Sequence, residues 1–363
     1  LKKFAFVVHP IAAKDAAARF PIMKYLPDGL IESMLAKKSP GIMSHITGIK
    51  SITGQEAEGW FIGLPMTPRM MTKPENLEFA YSRIVQCARI AEDLGAEIIG
   101  LGAFSSVVGD GGITVADRVK IAVTTGNSYT IATAVEGALL ACAKLGIDPA
   151  NSNLGVVGAT GSIGKTCARM LAPRFASTIL VGRDLARTQE VAEELPRATA
   201  STDAATLLQA HVVITVSSAG KDIVFPEHLR PGAIVVDVAR PRDVSVRVAK
   251  ERPDVLVIEG GVIRVPGDVN FNLDFGFPEK TAYACMSETM MLALDGRIEN
   301  FTLGKEVSVA QAEETLVLAK KHGFELSGFR SFEREVDQAA IDRAKAAAKI
   351  AMNTAMPSPQ LVP

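Results

Sequence analysis

No apolar run in this chain approaches the ~20 residues that a membrane-spanning helix requires. The opening stretch Leu1-Lys-Lys-Phe-Ala-Phe-Val-Val8 imitates a secretion signal, but it stops at His9-Pro10 and reads better as a first strand. At most peripheral membrane contact and a cytoplasmic setting are expected. An excess of one charge is also missing. The 39 Lys and Arg face 40 Asp and Glu, a net charge of −1, so no global field recruits nucleic acid. Cysteine is scarce: Cys87, Cys142, Cys167 and Cys285 lie far apart with no C-x-x-C pair. That spacing argues against a zinc site, predicts no metal, and fits a reducing compartment. Aromatic residues make up only 6%. The apolar content of 48% is carried by Ala, Val, Ile and Leu, as in α/β enzymes. At 363 residues the chain has room for two domains with separate cores.

The most informative stretch is Gly158-Ala159-Thr160-Gly161-Ser162-Ile163-Gly164. It follows the apolar run Leu154–Val157 and leads into a helical pattern, Lys165–Leu171. Strand, glycine turn and helix start together form the setting of a phosphate-cradling loop. Glycine permits the tight turn and close backbone approach, and the helix N-terminus offers free N–H groups to a pyrophosphate. From Leu154 onward, candidate strands Leu154–Val157, Thr178–Val181, His211–Thr215, Ala233–Val238 and Val255–Glu259 alternate with helices. That rhythm predicts a doubly wound parallel sheet of Rossmann type.

The expected division is an α/β substrate domain over residues 1–150, a nucleotide-binding domain over 151–277, returning helices over 278–330, and an Ala-rich helical tail over 331–363. In the first segment, Phe4–Val8, Ile42–Ile52, Gly59–Leu64, Glu97–Ala103 and Ile121–Thr124 read as strands. Helical stretches are expected over Ala12–Lys37, broken at Pro21 and Pro27, over Pro74–Leu94 and over Asn127–Leu145. Later helices are expected at Pro278–Leu294 with Gly296 as stop, at Val309–His322 and at Glu333–Met352, with Pro357–Pro363 fraying.

The second Rossmann strand ends in Gly182-Arg183-Asp184, with Arg187 one helical turn on. Arg183 and Arg187 suit a ribose 2′-phosphate, which favours NADP(H); Asp184 is the competing feature, since an acidic residue there serves the free 2′-hydroxyl of NAD. Ser217, with Ser218, is placed to line the nicotinamide ribose, and Gly260 follows the last strand. A Tyr/Lys mechanism of the short-chain dehydrogenase kind is excluded. Four residues beyond Tyr25, Tyr81, Tyr129 and Tyr283 stand Gly29, Val85, Thr133 and Ser287. A shikimate-dehydrogenase-like layout fits the order of domains and would want a Lys/Asp pair such as Lys73 and Asp110. A cysteine mechanism points to Cys285, because Cys87, Cys142 and Cys167 read as small core residues.

Several stretches in fixed order resemble the cyanobacterial-type long-chain acyl-[acyl-carrier-protein] reductases, a fatty-aldehyde-forming family. They are Leu101-Gly-Ala-Phe-Ser-Ser106, Thr124-Thr-Gly-Asn-Ser128, Val157–Gly164, Glu259-Gly-Gly-Val262, Ala284-Cys-Met-Ser-Glu288 and Asn300-Phe-Thr-Leu-Gly304. The resemblance spans about residues 97 to 325. It implies a thioester-forming cysteine at Cys285, favoured as a thiolate by its early-helix position, and NADPH as reductant. It also implies an acyl carrier protein or acyl-CoA as partner. This chain departs from that pattern in a shorter Gly260–Cys285 segment, in Tyr129 where a His follows the Thr-Gly-Asn turn, and in the tail beyond Arg330. Ser105, Thr125, Asn127 and Tyr129 are the expected substrate-contacting residues, with turn or capping chemistry as the alternative for Ser105, Thr125 and Asn127. His9 is the candidate proton donor. Met66, Met70, Met71, Met286, Met290 and Met291 are candidates for an acyl tunnel or for plain core. Lys37, Lys38, Arg69 and Lys73 are candidates for a carrier-docking surface. A homo-oligomer is compatible with the sequence. The competing functions are a dehydrogenase of small polar substrates without a covalent step, and a non-catalytic NADP-binding sensor.

Overall fold

The computed structural model describes residues 1–18, 25–274 and 276–353. Its backbone contacts divide the chain into two compact units. One comprises Leu1–Ala132 with Val262–Ser327, the other Thr133–Gly261 with the segment from Gly328 onward. These divisions differ from expected boundaries at 150, 277 and 330.

The first unit opens with strands β1 (Lys2–Val8), β2 (Gly41–Lys50), β3 (Glu56–Gly63), β4 (Ile98–Gly100) and β5 (Ala122–Thr124). β1 runs parallel to β3 on one side and β4 on the other. A strand flanked on both edges and packed on both faces needs a continuous apolar run, and Phe4–Val7 supplies it. Helices α1 (Asp28–Lys37), α2 (Pro68–Thr72), α3 (Leu77–Asp93) and α4 (Ile113–Asp117) cover the sheet's connections. α3 buries Ala80, Tyr81, Ile84, Val85, Cys87, Ala88 and Ala91, a single helical face, and Gly95 at φ +78° ends the turn after it. Met66, Met70 and Met71 pack into the same core, so they fill space there rather than line a tunnel. The expected break at Pro21 lies outside the described residues.

Helix α5 (Asn127–Leu145) has the bounds its periodicity predicts. The second unit then follows the Rossmann rhythm with β6 (Asn153–Val157), α6 (Ser162–Leu171), β7 (Ser177–Val181), α7 (Leu185–Glu193), β8 (Ala198–Ser201), β9 (Val212–Thr215), β10 (Ile234–Asp237), α8 (Val246–Glu251) and β11 (Leu256–Glu259). The sheet is parallel in the order β11-β10-β9-β6-β7-β8. The order reverses at β6, the topological switch point where such sheets place their ligands. β8 was not expected. Its Ala-Thr-Ala-Ser residues are half-buried on an outer edge and carry no apolar run.

The chain then returns to the first unit as β12 (Val262–Arg264), β13 (Gly267–Asn270), β14 (Thr281–Tyr283), α9 (Ala284–Asp295), α10 (Val309–His322) and β15 (Glu325–Leu326). β13 adds antiparallel to β2 and completes the order β13-β2-β3-β1-β4-β5, while β14, β12 and β15 form a small sheet. The helix expected from Pro278 therefore starts six residues later, because Thr281–Tyr283 pairs with Val262–Arg264 instead of coiling. Gly296 at φ +73° ends it as predicted.

The remaining segment forms a hairpin, β16 (Arg330–Ser331) and β17 (Arg334–Glu335), and helix α11 (Gln338–Asn353) in the second unit. α11 is docked: Ile341, Ala344 and Ala348 are buried, and a Cβ on Gly232 would collide with the Ala348 backbone. Pro357–Pro363 lies outside the described residues. Among the described residues no helix is long and apolar enough to cross a membrane, and no cluster of metal-ligating side chains occurs.

Candidate active site

The later start of α9 changes the setting of Cys285. The residue becomes the second of the helix, in a first turn that no side chain caps. Cys87, Cys142 and Cys167 are buried, whereas Cys285 is partly exposed. Beside it runs the Thr125-Gly126-Asn127 turn. Gly126 has φ +74°, and a Cβ there would collide with Cα and Cβ of Cys285. Only glycine permits both the conformation and the approach.

The N–H groups of Met286, Cys285 and Ala103 donate toward the sulfur and favour a thiolate. They do not prevail. Crowding around the sulfur, reinforced by the nearby Glu288 carboxylate, pushes the Cys285 thiol up to about 12. The helix start alone therefore does not deliver the thiolate expected from sequence. Burial alone pushes Cys167 up to about 12, and it dominates for Cys87 and Cys142 as well.

Glu288 is the functional candidate that the sequence reading did not single out. It is fully buried. Its carboxylate accepts from the Thr124 hydroxyl at 2.6 Å, the Tyr129 N–H at 2.8 Å and the Thr302 hydroxyl at 3.3 Å, with the Gly126 N–H also donating to it. Burial outweighs these donors and pushes its carboxyl up to about 7. The signal was its place in Ala284–Glu288, three residues after the cysteine and on the same side of the helix.

The expected substrate residues turn out to have structural employment. The Ser105 hydroxyl donates to the Gly102 carbonyl and that of Thr125 to the Thr302 carbonyl. Tyr129 is buried and serves through its backbone N–H. Asn127 is buried at the first position of α5. The geometry thus corrects the reading of Ser105, Thr125 and Tyr129 as substrate-facing side chains; they shape the turn that meets Cys285.

His9 is corrected as well. Its Nε2 lies 3.1 Å from the Phe104 N–H, which must donate to it, leaving Nδ1 to donate to the Pro10 carbonyl at 3.0 Å. Desolvation lowers its pKa, so the ring is held neutral with both nitrogens in use. It is an anchor rather than a proton donor. The turn it holds includes Ala103 at φ +46°, a strained conformation for a residue with a Cβ, and Ala103 is the residue whose N–H reaches the sulfur. Asp110, the candidate acid of the shikimate-like alternative, accepts from the Thr114 N–H and hydroxyl. Arg69, a candidate docking residue, pairs with Glu32.

The second unit carries the glycine turn. Gly158 has φ +79° and approaches the backbone of Val216 and Ser217, where a Cβ would lie 3.0 Å away; a Cβ on Gly164 would collide with the Gly158 carbonyl. Gly161 is the N-cap of α6 and makes no side-chain cap, so the first-turn N–H groups are not taken by a side chain. A pyrophosphate cradle has these backbone requirements, and the turn of Gly158, Ala159, Thr160, Gly161, Ser162, Ile163 and Gly164 meets them. Asp184 caps α7 by accepting the Arg187 N–H at 3.2 Å, while Arg183 and Arg187 are exposed and make no ion pair among the described residues. Ser217 is held by Asp243: its hydroxyl donates at 2.6 Å and its N–H at 2.7 Å. Gly260 packs where a Cβ would meet Val238 at 2.9 Å. Beside it the buried Glu259 pairs with Arg240 and Arg242.

A Rossmann-type sheet with a glycine turn at its switch point, in a chain with a second α/β unit, defines a two-unit α/β protein. Residues 140–259 match the shikimate / quinate 5-dehydrogenase family. The chain is 26% identical over 328 residues to the long-chain acyl-[acyl-carrier-protein] reductase of Synechococcus elongatus, covering 86% of this chain and 94% of that protein. It is 27% identical over 357 residues to the aminotransferase PigE of a Serratia species, covering 93% of this chain but only 41% of that relative's length. Among solved structures, L-tryptophan dehydrogenase from Nostoc punctiforme aligns with a TM-score of 0.40 at 14% identity, over 97% of this chain and 90% of that one. The sequence matches support an oxidoreductase of the broad shikimate-dehydrogenase-like class.

Proposed function

We propose that the protein reduces a long-chain acyl thioester, carried by an acyl carrier protein or coenzyme A, to a fatty aldehyde through a covalent thioester on Cys285, with NADPH as reductant. The observation that carries this reading is the contact between Gly126 and Cys285, which puts a partly exposed cysteine at an uncapped helix start against a turn only glycine can make. The 26% identity to an acyl-[acyl-carrier-protein] reductase across most of both chains supports it.

In this reading the Cys285 sulfur attacks the thioester carbonyl. A new carbon–sulfur bond forms, the old one breaks, and the departing pantetheine thiol carries the proton that Cys285 gave up. The N–H groups of Ala103, Cys285 and Met286 stabilise negative charge on the cysteine sulfur. His9 keeps the Ala103 turn in place. Gly158–Gly164 would hold the pyrophosphate, Arg183 and Arg187 the 2′-phosphate, and Ser217 and Gly260 the nicotinamide side. Asp184 spends one carboxylate oxygen on the cap of α7, which supports NADPH over NADH here. When bound, NADPH supplies the hydride that reduces the acyl carbonyl, and Cys285 is then expelled as the aldehyde leaves.

The match of residues 140–259 to shikimate / quinate 5-dehydrogenase favours a second reading, oxidoreduction of a small polar substrate without a covalent step. NADPH oxidation with a long-chain acyl-CoA separates the two. The first reading predicts turnover that Cys285→Ser abolishes while NADPH binding persists; unchanged turnover in that variant would sink it.

A further inference from the structure

We propose that Glu288 is a positioning residue for Cys285: its carboxylate pins the Thr124–Tyr129 turn beside the sulfur, and its charge adds to the crowding that disfavours a thiolate there until a proton neutralises it. Three segments distant in sequence meet at this carboxylate, namely the end of β5 with the turn after it, the N-terminal half of α9, and Thr302. Its donors are two backbone N–H groups and two hydroxyls, none of them cationic. A carboxylate in that setting is solvated well enough to ionise but not neutralised. One helical turn away, in a low-dielectric interior, its field acts on the sulfur with little screening.

Among the described residues on the elements packed against α9, no other charge is placed to compensate. Lys3 pairs with Glu58, and Glu56 with Lys50. Lys321 and His322 pair with Asp295, ten residues along the helix and so ~15 Å from Cys285. Lys2 also reaches that far end, near Gly296. Arg264, Glu313 and Lys320 are exposed, Glu314 pairs with Arg297, Tyr283 packs its ring on Phe277, and His9 is engaged by Pro10 and Phe104. The carboxyl of Glu288 is pushed up to about 7, so a small change in its surroundings switches its charge near neutral pH.

The inference rests on the reading above only in taking Cys285 as the reacting group. Its test uses iodoacetamide and no acyl substrate, so the two fail separately. The rate of Cys285 alkylation is followed by peptide mass against pH in the full-length protein, in Glu288→Gln and in Thr124→Val. Gln keeps the shape; its amide nitrogen takes the place of Oε1, so the Thr124 and Thr302 hydroxyls turn their protons away from it, that of Thr302 toward Ser128, 2.7 Å away. The inflection is expected to fall by about one unit or more, with labelling at pH 8 on the order of tenfold faster. Thr124→Val removes one donor to the carboxylate, favours its neutral form, and should speed labelling about two- to fivefold at neutral pH. An unchanged or higher inflection in Glu288→Gln overturns the inference. If that variant does not fold, unchanged or slower labelling in Thr124→Val does so.

Discussion

Gly126 is the residue on which the site turns, since its missing side chain is what lets the backbone lie against Cys285. Gly126→Ala combines a left-handed φ with a collision, at a cost of about 1–3 kcal/mol for the strain alone. Alkylation of Cys285 should slow more than about tenfold, and the melting temperature should drop. In the nucleotide loop, Arg183→Ala should weaken NADPH binding on the order of tenfold, as loss of a charge-assisted phosphate contact does, and leave NADH binding unchanged. Fluorescence titration with both cofactors measures this; equal weakening of both would remove Arg183 from the 2′-phosphate. Residue by residue, the Thr-Gly-Asn turn and Cys285 stood out in the sequence because they are compact motifs. Glu288 did not, because a lone Glu is ordinarily solvent-exposed. Its burial depends on Thr124, Tyr129 and Thr302, which the fold brings together from up to 178 positions apart (124 to 302).

At the scale of elements, the strands that bury both faces were readable from their apolar runs, and α5 and α10 from their periodicity and stops. The start of α9 was not. Pro278 is a helix-start signal, yet Thr281–Tyr283 finds a partner strand in Val262–Arg264, and pairing decides between the two. That shift matters chemically, since it moves Cys285 from the eighth position of the expected helix to the second of the observed one. The helix of the tail was expected, although it starts at Gln338 instead of Glu333; its docking was hidden, because an Ala-rich amphipathic helix gives no sign of what it docks on. Ala348→Glu places a charge where the Gly232 turn approaches, and it should destabilise the protein by more than about 2 kcal/mol. Urea denaturation checks this; a loss under about 0.5 kcal/mol would mean that α11 is not held in place.

For the whole molecule, buried carboxyls shape the response to pH, and desolvation raises Asp243 in the same sense as Asp237 and Glu288. Asp237, in β10, and Glu288 are each pushed up to about 7, foremost by desolvation. Both exceed their ordinary values of 3.8 and 4.5, so the folded state binds protons that the unfolded chain releases. Their contribution to stability is fully present below those ordinary values and is lost as pH rises through about 7. Glu288→Gln lacks its share of that loss, so its stability relative to the unmodified chain should improve as pH rises from 5 to about 7 and level off above that. Denaturation curves across that range test the sign. The broad architecture was visible in the mid-chain place of the glycine loop, which leaves chain on either side for a second unit. The return of residues 262–327 to that unit, and the docking of the tail on the other, depended on pairings that no local pattern encodes.

The most direct measurement is the intact mass of the protein after incubation with a long-chain acyl-CoA in the absence of NADPH. The proposed function predicts one added acyl group, localised to the Cys285 peptide, absent from Cys285→Ser, and discharged as aldehyde when NADPH is supplied. No adduct, or one that persists in Cys285→Ser, would contradict it.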